Sequence, residues 1–151
     1  MEKAIGGKRL KRTVIDASVV LKWYLADEKH GEKALGFLNG YISNELDILA
    51  PSLLEYEVIN GLIIARKTGR IEEQTVFTAI DGFLGLGIEL KNLSIFSTRV
   101  LHYCKVYNRS AYDASYLALA EQEGIPLITS DRVMYNAVRN DLQWVKYLGD
   151  I

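Results

Sequence analysis

Two short apolar runs each end on an aspartate, and that repeated device limits what this chain can fold into. Thr13, Val14 and Ile15 are β-formers in a polar frame, which reads as a buried strand, and the strand stops at Asp16. Ala17-Ser18 follow, and then a helix-like pattern begins, with Ser18 as its expected N-cap and Val19, Val20, Trp23 and Tyr24 on its packed face to about Ala26. Pro126-Leu-Ile-Thr-Ser-Asp131 repeats the arrangement, a strand running into an acid, with a short helix over 132–140. In open α/β sheets, ligands bind beyond the carboxyl ends of the strands. A carboxylate buried there is costly unless something positive answers it.

The rest of the chain supplies the layers. Helical spacing is expected over 30–43, 52–67, about 70–85, 94–107 and 114–123, the last entered through 108–113, and strands over 47–51, 88–93 and 144–148. Ser94 and Ser110 read as N-caps, while Gly69 and Gly124 close helices. Strands alternating with helices argue for a parallel sheet with helices on both faces. The 52–67 segment is apolar on nearly all sides, so it is either buried or covered by a partner chain. Its exceptions are Glu55, Glu57 and Asn60, and the last two share a face. With the next helix it forms a hairpin that either packs on the core or offers a dimer surface.

With 151 residues, the chain reads as one domain over 12–151 behind a flexible basic extension over 1–11. A net charge of -1 leaves nucleic-acid contact to a local basic patch. The single cysteine, Cys104, can form no intramolecular disulfide and reads as an inert core thiol. No apolar run nears the roughly 18 residues of a membrane span, and residues 1–12 lack the apolar core of a secretion signal. The expectation is a cytoplasmic protein with no membrane partner. His30 and His102 read as solvated helix residues rather than ligands.

Four acids stand apart from the other fifteen. Asp16 and Asp131 follow strands, Asp113 opens a helix, and Glu57 interrupts an apolar one. A parallel sheet brings strand ends and helix starts to one edge, so three of the four can meet there. Glu57 is free to point the same way. Like charges held close raise each other's pKa and destabilise the fold. A hard divalent ion, Mg²⁺ or Mn²⁺, reverses that and takes oxygen ligands. Such a site can polarise a phosphoryl oxygen and activate water, as phosphodiester hydrolysis requires. An aspartyl-phosphate phosphatase would want a second acid two residues after the first, where Ser18 stands. A receiver domain would need a paired acid and a lysine after a late strand, and neither is present.

Val14-Ile-Asp-Ala-Ser18, Pro51-Ser-Leu-Leu-Glu-Tyr-Glu-Val-Ile-Asn60, Ser110-Ala-Tyr-Asp-Ala-Ser-Tyr-Leu-Ala-Leu-Ala120 and Leu127-Ile-Thr-Ser-Asp131 together resemble the PIN-domain family, especially VapC-type toxins, over about Thr13 to Leu148. The resemblance implies a three-layer α/β/α sandwich around a central parallel sheet of about five strands. It implies a Mg²⁺- or Mn²⁺-dependent ribonuclease, often a homodimer, neutralised by a small antitoxin encoded alongside. By position, Asp16, Glu57, Asp113 and Asp131 match the acidic metal-binding set, Thr129 the hydroxyl residue before the last acid, and Asn60 the polar residue after the helix acid. Glu55 is unmatched. On this basis a metal-activated water attacks RNA in line. Asp16 ligates the principal ion, Glu57 and Asp113 complete its shell, and Asp131 holds a second ion or a water. Thr129 fixes a carboxylate or water, and Lys22, Arg109 and Arg132 are candidates to meet phosphate. The alternative is a catalytically inactive PIN-like scaffold that binds RNA or protein.

Overall fold

Lys8–Ile15 is the strand on which the sheet is built. The structure is a computed structural model that describes residues 2–5 and 8–151, with side chains from Leu10 onward. In chain order the elements are β1 (Glu2–Ile5), β2 (Lys8–Ile15), α1 (Ala17–Val20, continued by a 3-10 turn to Trp23), α2 (Gly31–Ile42), β3 (Leu46–Pro51), α3 (Leu53–Lys67), α4 (Glu73–Gly85), β4 (Glu89–Lys91), α5 (Ser97–Tyr107), α6 (Ala111–Glu123), β5 (Leu127–Thr129), α7 (Arg132–Val138) and β6 (Val145–Tyr147). Five strands run parallel in the order β4-β3-β2-β5-β6, and β1 pairs antiparallel with β2 from Glu2↔Lys11 to Ile5↔Lys8. Of residues 1–11, read in the sequence as a flexible basic extension, Met1, Gly6 and Gly7 lie outside the described residues, and the rest is backbone strand.

This order puts the reversal of the sheet between β2 and β5. The chain builds outward from β2 through β3 to β4, then crosses back to β5 and on to β6. The register sets Val14 against Leu127 and Ile15 against Ile128, so Asp16 leaves the sheet level with Thr129. Open α/β folds bind ligands in this crevice, because the neighbouring connections depart to opposite faces there.

The sheet is covered on both faces, giving the three α/β/α layers expected. Helices α5 and α6 pack on each other, and α6 lies across β2, β3 and β5. Every residue of α6 from Ala114 to Ala120 is buried, because α5 covers its outer side. Helices α2 and α3 lie against β3, and α1 packs on α3. Helix α3 buries Leu54, Val58, Leu62 and Ala65 at helical spacing, yet leaves Tyr56 and Ile64 exposed. It is therefore amphipathic where its sequence reads apolar nearly all round. Both members of the α3–α4 hairpin pack on the core, α4 through Val76, Ala79 and Phe83. Gly69, at φ +78°, turns the chain between them, and Arg70 anchors the turn to Asp27 through two hydrogen bonds of 2.9 and 2.6 Å. Among the described residues no helix is long and apolar enough to cross a membrane.

Three local expectations are corrected. Asp16, not Ser18, caps α1: its carboxylate accepts from the Ser18 N–H, and the helix starts at Ala17, two residues before the start that a Ser18 cap would give. Ser94 lies in a 3-10 turn over Leu93–Ile95, and α5 begins after Phe96 without a side-chain cap. Cys104 is half-buried and packs against the core rather than within it.

Gly61 controls how closely α3 approaches α1. A Cβ there would meet Leu21 Cδ1 at 2.6 Å. Glu57 stands one helical turn before Gly61, so the same close approach carries Glu57 toward the end of β2. Gly61→Val should destabilise the protein by about 1–3 kcal/mol, as expected of overpacking with a β-branched residue. Chemical denaturation with unaltered stability would mean that Leu21 swings aside freely and that the approach constrains nothing.

Candidate active site

At the sheet's reversal point the carboxylate of Asp16 is held by both oxygens. Oδ1 accepts from the Ser18 N–H at 3.1 Å and from the Ser18 hydroxyl, and Oδ2 accepts from the Thr129 hydroxyl. The two hydroxyls are themselves tied to the next turn of chain. Ser18 Oγ accepts from the Ser130 N–H at 2.8 Å, and Thr129 Oγ1 accepts from the Asp131 N–H at 3.0 Å. Asp131 then caps α7, accepting from the N–H groups of Val133 and Met134. Asp16 and Asp131 are thus joined through Thr129, which is completely buried.

The other two acids come from helices. Glu57, half-buried on α3, accepts a 2.6 Å hydrogen bond from the Tyr116 hydroxyl of α6. Asp113 lies in the first turn of α6, with the Ser110 hydroxyl capping its N–H, as the sequence suggests. Arg109 Nη1 lies 3.7 Å from the Asp113 carboxylate. Tyr116 is three residues beyond Asp113 and faces the same corner.

Electrostatics link these groups in a chain. Burial pushes Asp16 up from 3.8 to about 7; its two hydroxyl partners pull the other way, and the Asp131 charge adds to the rise. Burial also raises Glu57, opposed by the Tyr116 hydrogen bond and reinforced by Asp113. Asp113 is raised by burial and then by Asp131, with Arg109 countering. Tyr116 is raised too, by burial and then by Glu57, so its phenol stays protonated as a donor. Asp16, Glu57 and Asp113 are therefore each raised in part by another acid of the set.

The donor set consists of carboxylate and hydroxyl oxygens, the ligand class of a hard divalent cation. Among the described residues no three His, Cys, Asp or Glu side chains close into a ready-made metal cluster. The residues fit such an ion by donor chemistry, and Arg109 answers the charge of only one of the four acids, Asp113.

The remaining sequence candidates divide. Asn60 is exposed on the same stretch of α3 and lines a groove with Glu57. Glu55 faces elsewhere, beside Phe83, Leu84 and Leu90. Of the three bases, Arg109 alone pairs with a candidate acid. Arg132 instead stacks its guanidinium 3.9 Å from the centre of the Tyr147 ring, and the Lys22 side chain is largely buried. His30 and His102 are exposed. Sequence reasoning missed the partner roles of Ser18 and Tyr116. The only signal for Tyr116 is its spacing from Asp113 on one helix; for Ser18 it is a hydroxyl two residues after the strand-end acid.

Thr129→Val keeps the shape and strands both the Asp131 N–H and one Asp16 oxygen. If these acids hold the reacting group, activity should fall about 10- to 100-fold, as for other orienting partners of metal ligands. Stability should fall by about 1–3 kcal/mol for the lost partners. Thr129→Ser should recover most of the activity. A valine variant as active as the parent would remove Thr129 from the site.

The PIN-domain family model matches residues 13–140. Among curated proteins none matches the chain. Solved structures share its fold. PAE2754 from Pyrobaculum aerophilum superposes with a TM-score of 0.64 at 22% identity, covering 93% of each chain. Mycobacterium tuberculosis VapC20, described as a sarcin-ricin loop cleaving toxin, gives 0.58 at 12% identity, over 83% of this chain and 94% of that one. A toxin-antitoxin complex from Klebsiella pneumoniae gives 0.55 at 16% identity, over 90% and 97%.

Proposed function

The chain belongs to the PIN-domain family, and on that premise we propose that it is a divalent-metal-dependent endoribonuclease, the toxin of a VapC-type toxin-antitoxin pair. The observation that carries this reading is Asp16. It is buried at the point where the sheet reverses, raised to about 7, and linked through Thr129 to a second acid. Its caps and hydroxyl partners offset only part of the cost of burying this charge, and a bound cation would offset the rest. The toxin-antitoxin complex among the structural neighbours supports an antitoxin partner.

Asp16, Glu57, Asp113 and Asp131 would hold Mg²⁺ or Mn²⁺. Such an ion, when bound, lowers the pKa of water and stabilises negative charge on a phosphoryl oxygen. The chain's own residues do the rest. Ser18 and Thr129 fix the rotamer of Asp16, and the Tyr116 phenol holds Glu57. Arg109, beside Asp113, is positioned to meet an RNA phosphate. Exposed apolar residues on the hairpin, Ile64, Phe77 and Leu84, would serve a homodimer contact. The proposed compartment is the cytoplasm.

The test uses the purified full chain and single-stranded RNA. Cleavage with Mg²⁺ or Mn²⁺, and none in EDTA, supports the reading. RNA binding without cleavage, together with no heat on titration with Mn²⁺, overturns it in favour of the inactive scaffold.

A further inference from the structure

We propose that the groove beside Glu57 is a subsite for one unpaired base of the RNA, stacked on Tyr56 and Tyr112 and contacted by Asn60. This rests on the nuclease reading above and goes further by naming what sits next to the acids.

The groove has a volume of about 560 Å³ and is lined by Leu53, Tyr56, Glu57, Asn60 and Tyr112. That lies within the size range of small-molecule sites, roughly 300–1,000 Å³. Two of the site acids each follow directly on an exposed tyrosine, as Tyr56-Glu57 on α3 and Tyr112-Asp113 on α6. Tyr56 is 78% exposed and Tyr112 65%, so neither ring contributes much to the core. Large apolar side chains held in water beside a polar site favour a ligand with a flat face.

Three features choose a base over other occupants. Glu57 forms part of the wall, so an occupant of this groove lies against one of the four site acids. No lysine or arginine lines it, so it is unsuited to a phosphate. The Asn60 amide offers both a donor and an acceptor, as base edges require. Single-stranded RNA splays its bases onto aromatic rings, whereas a duplex cannot.

The experiment uses the full chain carrying Asp16→Asn, so that RNA is bound without turnover. Single-stranded oligoribonucleotides with 2-aminopurine at successive positions are titrated in Mg²⁺ buffer, each beside an abasic counterpart. The expected result is quenching at one position. Tyr56→Ala and Tyr112→Ala should each remove that quenching and weaken binding on the order of tenfold. The phenylalanine variants should retain both effects. With an abasic nucleotide at that position, the alanine variants should bind no worse than the parent. The subsite is overturned if the alanine variants leave affinity and quenching unchanged, or if they weaken abasic RNA equally. It is also overturned if they change the sedimentation of the protein without RNA, which would make the groove a contact between copies. Cleavage by the wild-type chain is measured separately. Intact cleavage with no tyrosine effect removes the subsite alone, and absent cleavage with position-specific quenching removes the nuclease reading alone.

Discussion

Asp16→Asn should abolish RNA cleavage and, in the same protein, leave the metal-free fold more stable than the parent. On the nuclease reading the two effects have opposite signs, because the carboxylate would serve the reaction at a cost to the metal-free fold. If Asp16 holds the ion, losing its charge removes several kcal/mol of transition-state stabilisation, which corresponds to about a thousandfold or more in rate. The stability gain follows from burial. Moving the carboxyl from 3.8 to about 7 means that its charge costs the metal-free fold about 4 kcal/mol at pH 8. Asparagine removes that cost, but one of the hydroxyls from Ser18 and Thr129 must reorient toward an amide, which returns part of it. A net gain of about 2 kcal/mol is expected in urea denaturation with EDTA at pH 8. A variant that unfolds more easily than the parent would make Asp16 a structural cap of α1 and nothing more.

Metal-free protein should lose stability as pH rises from about 4 to about 8, and divalent metal should restore it only at the upper end. The folded Asp16 keeps its proton to about 7, whereas in the unfolded chain it is released near 3.8. Between those values the native state binds the extra proton. Stability from this group is therefore complete below the unfolded value and is lost as pH rises through the folded one. The fall amounts to about 4 kcal/mol. Glu57 and Asp113 are raised as well and act in the same direction. Mn²⁺ at a hundred times its dissociation constant should return about 2.7 kcal/mol at pH 8. At pH 5, where protons occupy the acids, it should return little. Melting curves at both pH values, with EDTA and with Mn²⁺, measure this. A flat pH response in EDTA that matches the Asp16→Asn variant would refute it.

Much of the fold is legible because its signals are local. The strand before Asp16 and the strand before Asp131 are short β-branched or apolar runs, and they pair as β2 and β5. Gly124, at φ +66°, ends α6 where the sequence places a stop. Ser110 caps α6 through the Asp113 N–H. The features that are not legible depend on distant partners. Tyr116 finds Glu57 across 59 positions, and Ser18 finds Ser130 across 112. Their local signals, the spacing of Tyr116 from Asp113 and of Ser18 from Asp16, do not say which distant group each meets. Burial is misread for a related reason. Helix α3 is rich in aliphatic residues yet exposes Ile64, while α6, rich in alanine, is buried because α5 happens to cover it. The Ser18 and Ser94 caps go wrong by small shifts in helix start, which depend on where the preceding strand or turn releases the chain.

The neighbouring positions of β2 and β5 in the sheet have a consequence for a chain still emerging from the ribosome. Asp16 is made early, but the hydroxyl that steadies it and the acid beyond belong to residues 129 and 131. Nascent chains that stop short of this late strand lack Thr129 and Asp131, however well the part before them has folded. On the nuclease reading, activity would appear only once the last quarter of the chain has been made.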